Sequence, residues 1–380
     1  MQIYLDSCAT TAPHPEVVKL VQEIMKDNWG NPSSLHFWGE RSAMVLEKAR
    51  FSVVSLLNAD SGDNIIFTSG GTEADNLAIF GTVYNYSQPQ HIIISSVEHS
   101  AIAFPVTMLE KQGWQVTRLP VNREGRVNPD DLRKSLRDNT VLVSIIYGQS
   151  EVGTIQPITE LANITKTHSK ALFHTDAVQI MGRYEVDVSA LKIDLLSLSG
   201  HKFYGMQGAG ALYIREGIEL QPLIGGGGQE LGLRSGTQPL CAIAALGLAS
   251  QLAQKDLESE SLRLRELRDY FIDLVEQECP YLQLTGDRYY RLPHHASFII
   301  NHPHREITGR KMVRDLNLAG IGISAGSACS SGKSLPSPTL LAMGYSETEA
   351  LRGIRISCDR TTTKEDLEWV VMVINQLMSR

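Results

Sequence analysis

Cysteine is scarce and poorly spaced for cross-linking: Cys8, Cys241, Cys279, Cys329 and Cys358 are the only five in 380 residues. The number is odd and no C-x-x-C pair occurs, which argues against a disulfide framework and a structural zinc site. A long apolar run is also lacking. The longest, Leu240–Ala249, is about half the ~20 residues needed to cross a bilayer and reads as a buried helix. At the N-terminus, Met-Gln-Ile-Tyr-Leu-Asp shows no basic segment followed by an apolar stretch, so no secretory signal is read. Nor is there an excess of positive charge: 35 Lys+Arg stand against 42 Asp+Glu, a net charge of −7. Without a local basic stripe, such a chain repels phosphate, so neither direct nucleic-acid binding nor membrane attachment is expected. A reducing, cytoplasmic setting fits, and the question becomes whether one of the five thiols is reactive.

With 42% apolar and 20% charged residues, the composition is that of a soluble globular protein. Its length exceeds what one hydrophobic core usually supports, so two domains are expected. Ile65–Phe67, Ile92–Ile94, Val141–Ile146 and Leu172–His174 are short β-branched or apolar runs, and Leu195–Leu198 and Ala211–Ile214 are two more. Helical spacing fills Thr72–Val83, Ala101–Lys111, Pro129–Leu136 and Ile158–His168. Buried strands alternating with helices predict an α/β fold on a mainly parallel sheet. A long helical stretch, Pro239–Glu278, follows, and then a smaller α+β segment with strands at Ser297–Ile300 and Ile354–Ser357 and a helix over Glu306–Asn317. The expected division is a large domain over 15–258 and a small one from 1–14 and 259–380.

Ser199-Gly200-His201-Lys202 directly follows the strand Leu195–Leu198. A partly buried lysine there loses proton affinity and becomes a nucleophile able to form a Schiff base. The plain alternative is an exposed loop lysine. Ser69-Gly70-Gly71-Thr72-Glu73 leaves a strand and opens a helix, the arrangement of a phosphate cup or of an ordinary turn and cap. Asp176 and Gln179 follow Leu172–His174, at the sheet edge where ligands bind in such folds. There Asp176 either faces a ring nitrogen or caps a helix. His99 lies at another strand end, as a site residue or a satisfied structural one. Arg355 could clamp a carboxylate through its two-pronged guanidinium or form a surface salt bridge. Ser324–Lys333, SAGSACSSGK, has the composition of a mobile loop without bulk to bury its thiol, which makes Cys329 a candidate nucleophile.

Together these segments resemble the cysteine desulfurases of the NifS/IscS type, class V aminotransferases of PLP fold type I. The motifs are LDSCATT (5–11), GNPSSLH (30–36), FTSGGTEADNLA (67–78), VEHSA (97–101), HTDAVQ (174–179), SGHKFYG (199–205), GGGGQE (225–230), RSGT (234–237), SAGSACSS (324–331) and RIS (355–357). The resemblance implies a pyridoxal 5'-phosphate cofactor carried by Lys202 through a Schiff base. It implies that Gly71, Thr72, Ser199 and His201 bind the phosphate and that Thr237 reaches the phosphate of the partner subunit in a homodimer. Asp176 would pair with the pyridine nitrogen, Gln179 with the phenolic oxygen, and His99 would stack on the ring and assist proton transfer. Arg355 and Asn31 would bind the carboxylate of L-cysteine, and Cys329 would take its sulfur as a persulfide for a sulfur-acceptor protein, an iron–sulfur scaffold or another thiol acceptor. No metal is implied.

Three positions depart from the family pattern. Gln149-Ser150-Glu151 stands where the family has Asn-Asn-Glu, so the shorter Ser150 takes the place of an Asn that contacts the phenolic oxygen. Cys8 puts a thiol where one is not typical. The sequence ends at Arg380, without the tail with which housekeeping members dock their scaffold, which leaves the acceptor open. A selenocysteine lyase or aminotransferase of the same fold needs no Gly/Ser-rich thiol loop, and a non-catalytic homologue needs neither Lys202 nor Cys329. A sulfur donor for DNA phosphorothioation would share the chemistry and differ only in partner.

Overall fold

The apolar runs of the first three-fifths pair into one sheet in the computed structural model, which describes residues 2–60, 65–304, 306–326 and 335–379. In chain order this part contains β1 (Ile3–Tyr4), α1 (Pro15–Asp27), α2 (Phe37–Leu56), β2 (Ile65–Thr68), α3 (Gly71–Val83), β3 (His91–Ser95) and α4 (Ser100–Lys111). There follow β4 (Gln115–Leu119), α5 (Pro129–Ser135), β5 (Thr140–Ser144), α6 (Ile158–His168), β6 (Leu172–Asp176), β7 (Leu195–Ser199) and β8 (Gly210–Ile214). The remainder runs through α7 (Leu240–Glu278), β9 (Leu282–Leu284), β10 (His295–Ile300), α8 (Gly309–Leu318), β11 (Ile321–Gly322), α9 (Pro338–Ala342), α10 (Glu347–Ala350), β12 (Gly353–Ser357) and α11 (Lys364–Ser379).

The seven-stranded sheet has the order β2-β8-β7-β6-β5-β3-β4. All neighbours are parallel except that β8 runs antiparallel to both β2 and β7. Two reversals leave β2 pointing the same way as β7, so β2, β3, β5, β6 and β7 all end at one edge. Helices cover both faces, and β3, β5 and β7 are buried along their whole length, as parallel strands under two helical layers must be. The fold is therefore the mixed α/β architecture that the sequence predicts. Among the described residues, no helix is long and apolar enough to cross a membrane.

Helix α7 has 39 residues, about 58 Å at 1.5 Å per residue, and serves two apolar clusters. Ile243, Leu246 and Ala249 pack with Val17, Leu46 and Val53 beneath the large sheet. Gly247 lets α7 and α2 touch closely, since a Cβ there would lie 2.5 Å from the Cα of Ala49. The second half of α7, through Leu264, Phe271 and Val275, packs instead with Phe298, Ile356, Val370 and Ile374. Ile3 and Leu5 from the opposite chain end join this second cluster. There β10 pairs antiparallel with β12 and β9, and β1 pairs parallel with β11.

Some boundaries move relative to the sequence reading. The helix expected from Glu306 begins at Gly309, because Thr308 caps it by accepting from the Lys311 N–H. β4 is an edge strand with a half-exposed pattern and gives no apolar run to read. Helices α1 and α2 were not anticipated either. α2 carries exposed Phe37, Trp38, Met44 and Phe51 besides its buried residues, which erases the one-sided periodicity that marks a helix in sequence.

A buried ion pair fixes the 225–237 segment against α2. Arg50 Nη1 lies 3.0 Å from Glu230 Oε2, with side-chain exposures of 11% and 0%, and the same carboxylate accepts from the Phe67 N–H of β2 at 2.8 Å. Glu230→Ala leaves a buried guanidinium short of its partner and a strand N–H unsatisfied. The expected loss is about 3–5 kcal/mol, to be read as a lowered midpoint in urea unfolding.

Candidate active site

The five strand ends at the common edge surround a cavity of about 290 Å³. Each strand delivers its residues at its end or in the segment that follows it. β2 leads into Gly71 and Thr72, β3 into His99, β5 into Ser150, β6 into Asp176 and Gln179, and β7 into Ser199, His201 and Lys202. All of these line the cavity, as does Arg355 from β12. Asn31 and Thr237 are exposed and are not among its lining residues. Cys329 lies outside the described residues.

Lys202 ends a single 3-10 turn, Gly200–Lys202. Its ammonium donates to the carbonyl oxygens of Cys8 at 2.7 Å and Ala9 at 2.9 Å. The LDSCATT segment thus has a physical task at the site, and its threonines complete it. Thr11 Oγ1 donates to the His201 carbonyl at 2.9 Å and accepts from the Tyr204 N–H at 2.8 Å. Thr10 Oγ1 meets His201 Nδ1 at 3.0 Å. Burial, and then the charge of Lys202, push the His201 imidazole down to about 4, so it is neutral at pH 7.

Helix α3 has no side-chain cap at its N-terminus, and its uncapped first turn, bearing Gly71 and Thr72, faces the cavity. Such an end offers N–H groups and partial positive charge to an anion. Gly71 keeps the approach open, because a Cβ there would lie 2.7 Å from Val178 Cγ2. Arg234 Nε, three residues before Thr237, bonds Glu73 of the same turn at 3.0 Å, which ties the RSGT segment to this helix end.

Asp176 is buried and accepts from the Val178 N–H at 2.9 Å. It caps a turn and lines the cavity. Burial raises its carboxyl, while His99 and Lys202 oppose that rise. His99 caps α4, its Nδ1 accepting from the Ala101 N–H at 3.2 Å, which puts the ring proton on Nε2. Gln179 Nε2 donates to the Cys8 carbonyl at 2.9 Å. Arg355 is buried rather than part of a surface salt bridge. It bonds Asp6 Oδ1 at 2.6 Å and the Ser150 carbonyl at 2.9 Å, while its Nε has no partner among the described residues. Burial works against the charge of Arg355, but Cys8 and Asp6 outweigh it and raise its pKa.

The sequence reading missed Asp75 and Glu98 and left the place of Cys8 open. Cys8 lines the cavity, its Sγ 3.3 Å from His294 Nε2. Burial raises the thiol and drives the imidazole well below its ordinary value, so the pair is neutral and the thiol a poor nucleophile. Asp75 falls on the buried face of α3 with Ala74 and Ala78, and a carboxylate in an apolar helical stripe was the available signal. Glu98, one residue before His99, accepts from the Ile146 N–H at 2.9 Å.

Comparison with known proteins matches residues 3–370 to the aminotransferase class-V family. The protein named cysteine desulfurase IscS of Dictyoglomus turgidum is 44% identical over 380 residues, covering all of this chain and 95% of the relative. A solved NifS-like protein superposes with a TM-score of 0.92 at 32% identity, each chain covered completely. A structure described as SspA in complex with cysteine superposes with a TM-score of 0.83 at 33% identity, over 94% of this chain and 98% of that one. The chain belongs to the class V aminotransferases, in the branch of the IscS- and NifS-type cysteine desulfurases.

Burial pushes the Glu98 carboxyl up to about 8 from 4.5 and His174 down to about 3 from 6.5. The Glu98 contribution to stability is complete below 4.5 and is lost as pH rises through 8; that of His174 is complete above 6.5 and is lost as pH falls through 3. Glu98→Gln cannot ionise, so its melting temperature should fall less than the wild type's between about pH 5 and about pH 9. Thermal melts across that range check this.

Proposed function

We propose that the chain acts as its relatives are named: it is a cysteine desulfurase, an enzyme that converts L-cysteine to L-alanine and passes the sulfur on as a persulfide of Cys329. The observation that carries this reading is one cavity holding three complementary groups. They are the Lys202 ammonium on two backbone carbonyls, the buried Asp176 carboxylate, and the uncapped end of α3.

These groups fit pyridoxal 5'-phosphate, an anion at one end and a protonatable ring nitrogen at the other. Gly71, Thr72, Ser199 and His201 would hold its phosphate, Asp176 its ring nitrogen, Gln179 and Ser150 its phenolic oxygen, and Lys202 its aldehyde carbon, with His99 against the ring. When bound, the cofactor supplies an electron sink for the bonds at the substrate Cα.

The chain's own residues then divide the work. Arg355 binds the substrate carboxylate, with Asn31 assisting, and its unpartnered Nε favours that role. Lys202 takes the Cα proton and later returns a proton to the three-carbon fragment. The Cys329 thiolate attacks the substrate sulfur, so an S–S bond forms on Cys329 as the substrate C–S bond breaks, and alanine leaves. A thiol acceptor, such as an iron–sulfur scaffold protein, then removes the sulfane sulfur. Free thiol chemistry of this kind needs a reducing compartment, which supports a cytoplasmic location.

A homodimer completes the site in this reading. Trp29, Phe37, Trp38 and Phe51 are exposed around α2, as is Leu231 of the segment that Arg50 and Glu230 brace there. Clustered exposed aromatics mark a protein–protein surface. This surface also carries Asn31 and lies beside Thr237, so Thr237 of the partner subunit would reach the phosphate.

The test is a paired assay of sulfide and alanine from cysteine in the presence of a reductant. Cys329→Ser should still bind cysteine but release almost no sulfide, and retained turnover overturns the assignment of the thiol. The purified wild type should be yellow, and Lys202→Ala should lose the visible absorption; an unchanged spectrum overturns the assignment of the lysine.

A further inference from the structure

Asp75 lies on α3 in the wall of the cavity and is 1% exposed. Its carboxyl and those of its neighbours are unusually close. One side-chain donor atom each from Asp75, His99 and Asp176 lie within 4.8 Å of one another. The groups facing the two aspartates differ. Asp176, at the end of β6, faces His99 from the β3–α4 turn and Lys202 from the turn after β7, both of which stabilise its charged form. Asp75 faces Asp176 itself, Glu98 from the β3–α4 turn, and the Ser197 hydroxyl of β7. Its other neighbour is His174 of β6, whose Nε2 stands 3.8 Å from Asp75 Oδ1. Both nitrogens of that imidazole are already engaged, by Ser144 at 2.8 Å and Ser197 at 3.0 Å, and burial keeps it neutral. Asp75 Oδ1 has no hydrogen-bond partner among the described residues.

Two buried carboxyls this close do not both ionise, and one retains a proton. The Lys202 ammonium and the Val178 N–H face Asp176, whereas Asp75 faces acids and an already engaged imidazole, with its Oδ1 unpartnered among the described residues, so the location of the proton follows.

We propose that Asp75 is a positioning residue that keeps the proton of an Asp75–Asp176 dyad, so that Asp176 alone presents negative charge to the cavity. This rests on the reading of Asp176 as the partner of a ring nitrogen. Burial and the Asp176 charge both push the Asp75 carboxyl upward, in the same sense as the geometry. A neutral Asp75 lowers the cost of burying the Asp176 anion. A charged Asp75 would repel it.

The proposal is tested first without cofactor. Infrared spectra at pH 7 of wild-type apoprotein carrying isotopically labelled aspartate should show a protonated-carboxyl band shifted by the label. Glu98, the other buried acid nearby, is untouched by that label. The shifted band should vanish in Asp75→Asn. No label-sensitive band, or one that persists in Asp75→Asn, overturns the proposal. The second arm titrates pyridoxal phosphate into apoprotein by its absorption. Asp75→Ala should weaken binding about tenfold, the equivalent of one pKa unit, and the neutral isostere Asp75→Asn should restore most of it. Equal loss in both variants overturns the proposal, because it makes the charge of Asp75 the needed feature. If wild-type protein binds no pyridoxal phosphate, the cofactor reading fails, and the infrared arm still decides where the proton lies.

Discussion

The Lys202 ammonium is held by carbonyl oxygens from residues 8 and 9, and the arrangement of the site depends on that contact. It closes a gap of nearly two hundred positions in sequence. The peptide that receives the amine is fixed in turn on every side. The Cys8 N–H donates to Ser357 Oγ at 3.0 Å, its thiol meets His294, and its carbonyl also accepts from Gln179. Residues from β12, from the turn before β10 and from the turn after β6 therefore converge on a single peptide. The short N-terminal stretch belongs to neither apolar cluster alone. Ile3 and Leu5 pack in the second, whereas Thr10 and Thr11 are bonded to the turn that carries Lys202.

Around that contact the cavity wall separates groups by charge. Lys202 and Arg355 are cations of the cavity wall, Asp176 is a carboxyl of the same wall, and burial holds His174 and His201 neutral. Neutral imidazoles can orient an anionic group without competing for its charge, and backbone N–H groups at the start of α3 add partial positive charge at no ionic cost. A chain with net charge −7 can in this way still place positive charge in the wall of one cavity. The local field is set by one helix end and two side chains, not by the overall balance.

Much of the fold was legible in residue order. The buried strands of the large sheet are continuous apolar runs, and the intervening helices keep their spacing, because a sheet covered on both faces leaves no exposed alternation to confuse the pattern. Elements that escaped notice lack such a signal. β1 and β11 have two residues each, β4 is a half-exposed edge, and α2 has apolar residues on both its buried and its exposed faces. At the site, Gly71, Thr72, Asp176, Lys202 and their neighbours could be named because each stands at or just past a strand end, the position from which parallel sheets address ligands.

Residue order by itself determined the candidate thiol and lysine and the strand ends that carry polar groups, since these are properties of local composition and spacing, and its motifs carried the resemblance to the family. Tertiary structure alone decided which groups share an environment. Asp75, one turn into α3, comes within 4.8 Å of Asp176 although a hundred positions separate them. Arg355 is buried against Asp6, and Cys8 becomes a protonated thiol beside a neutral histidine. Burial and the sign of the nearest charge fix the protonation of such groups, and both come from how distant segments pack, which no local pattern encodes.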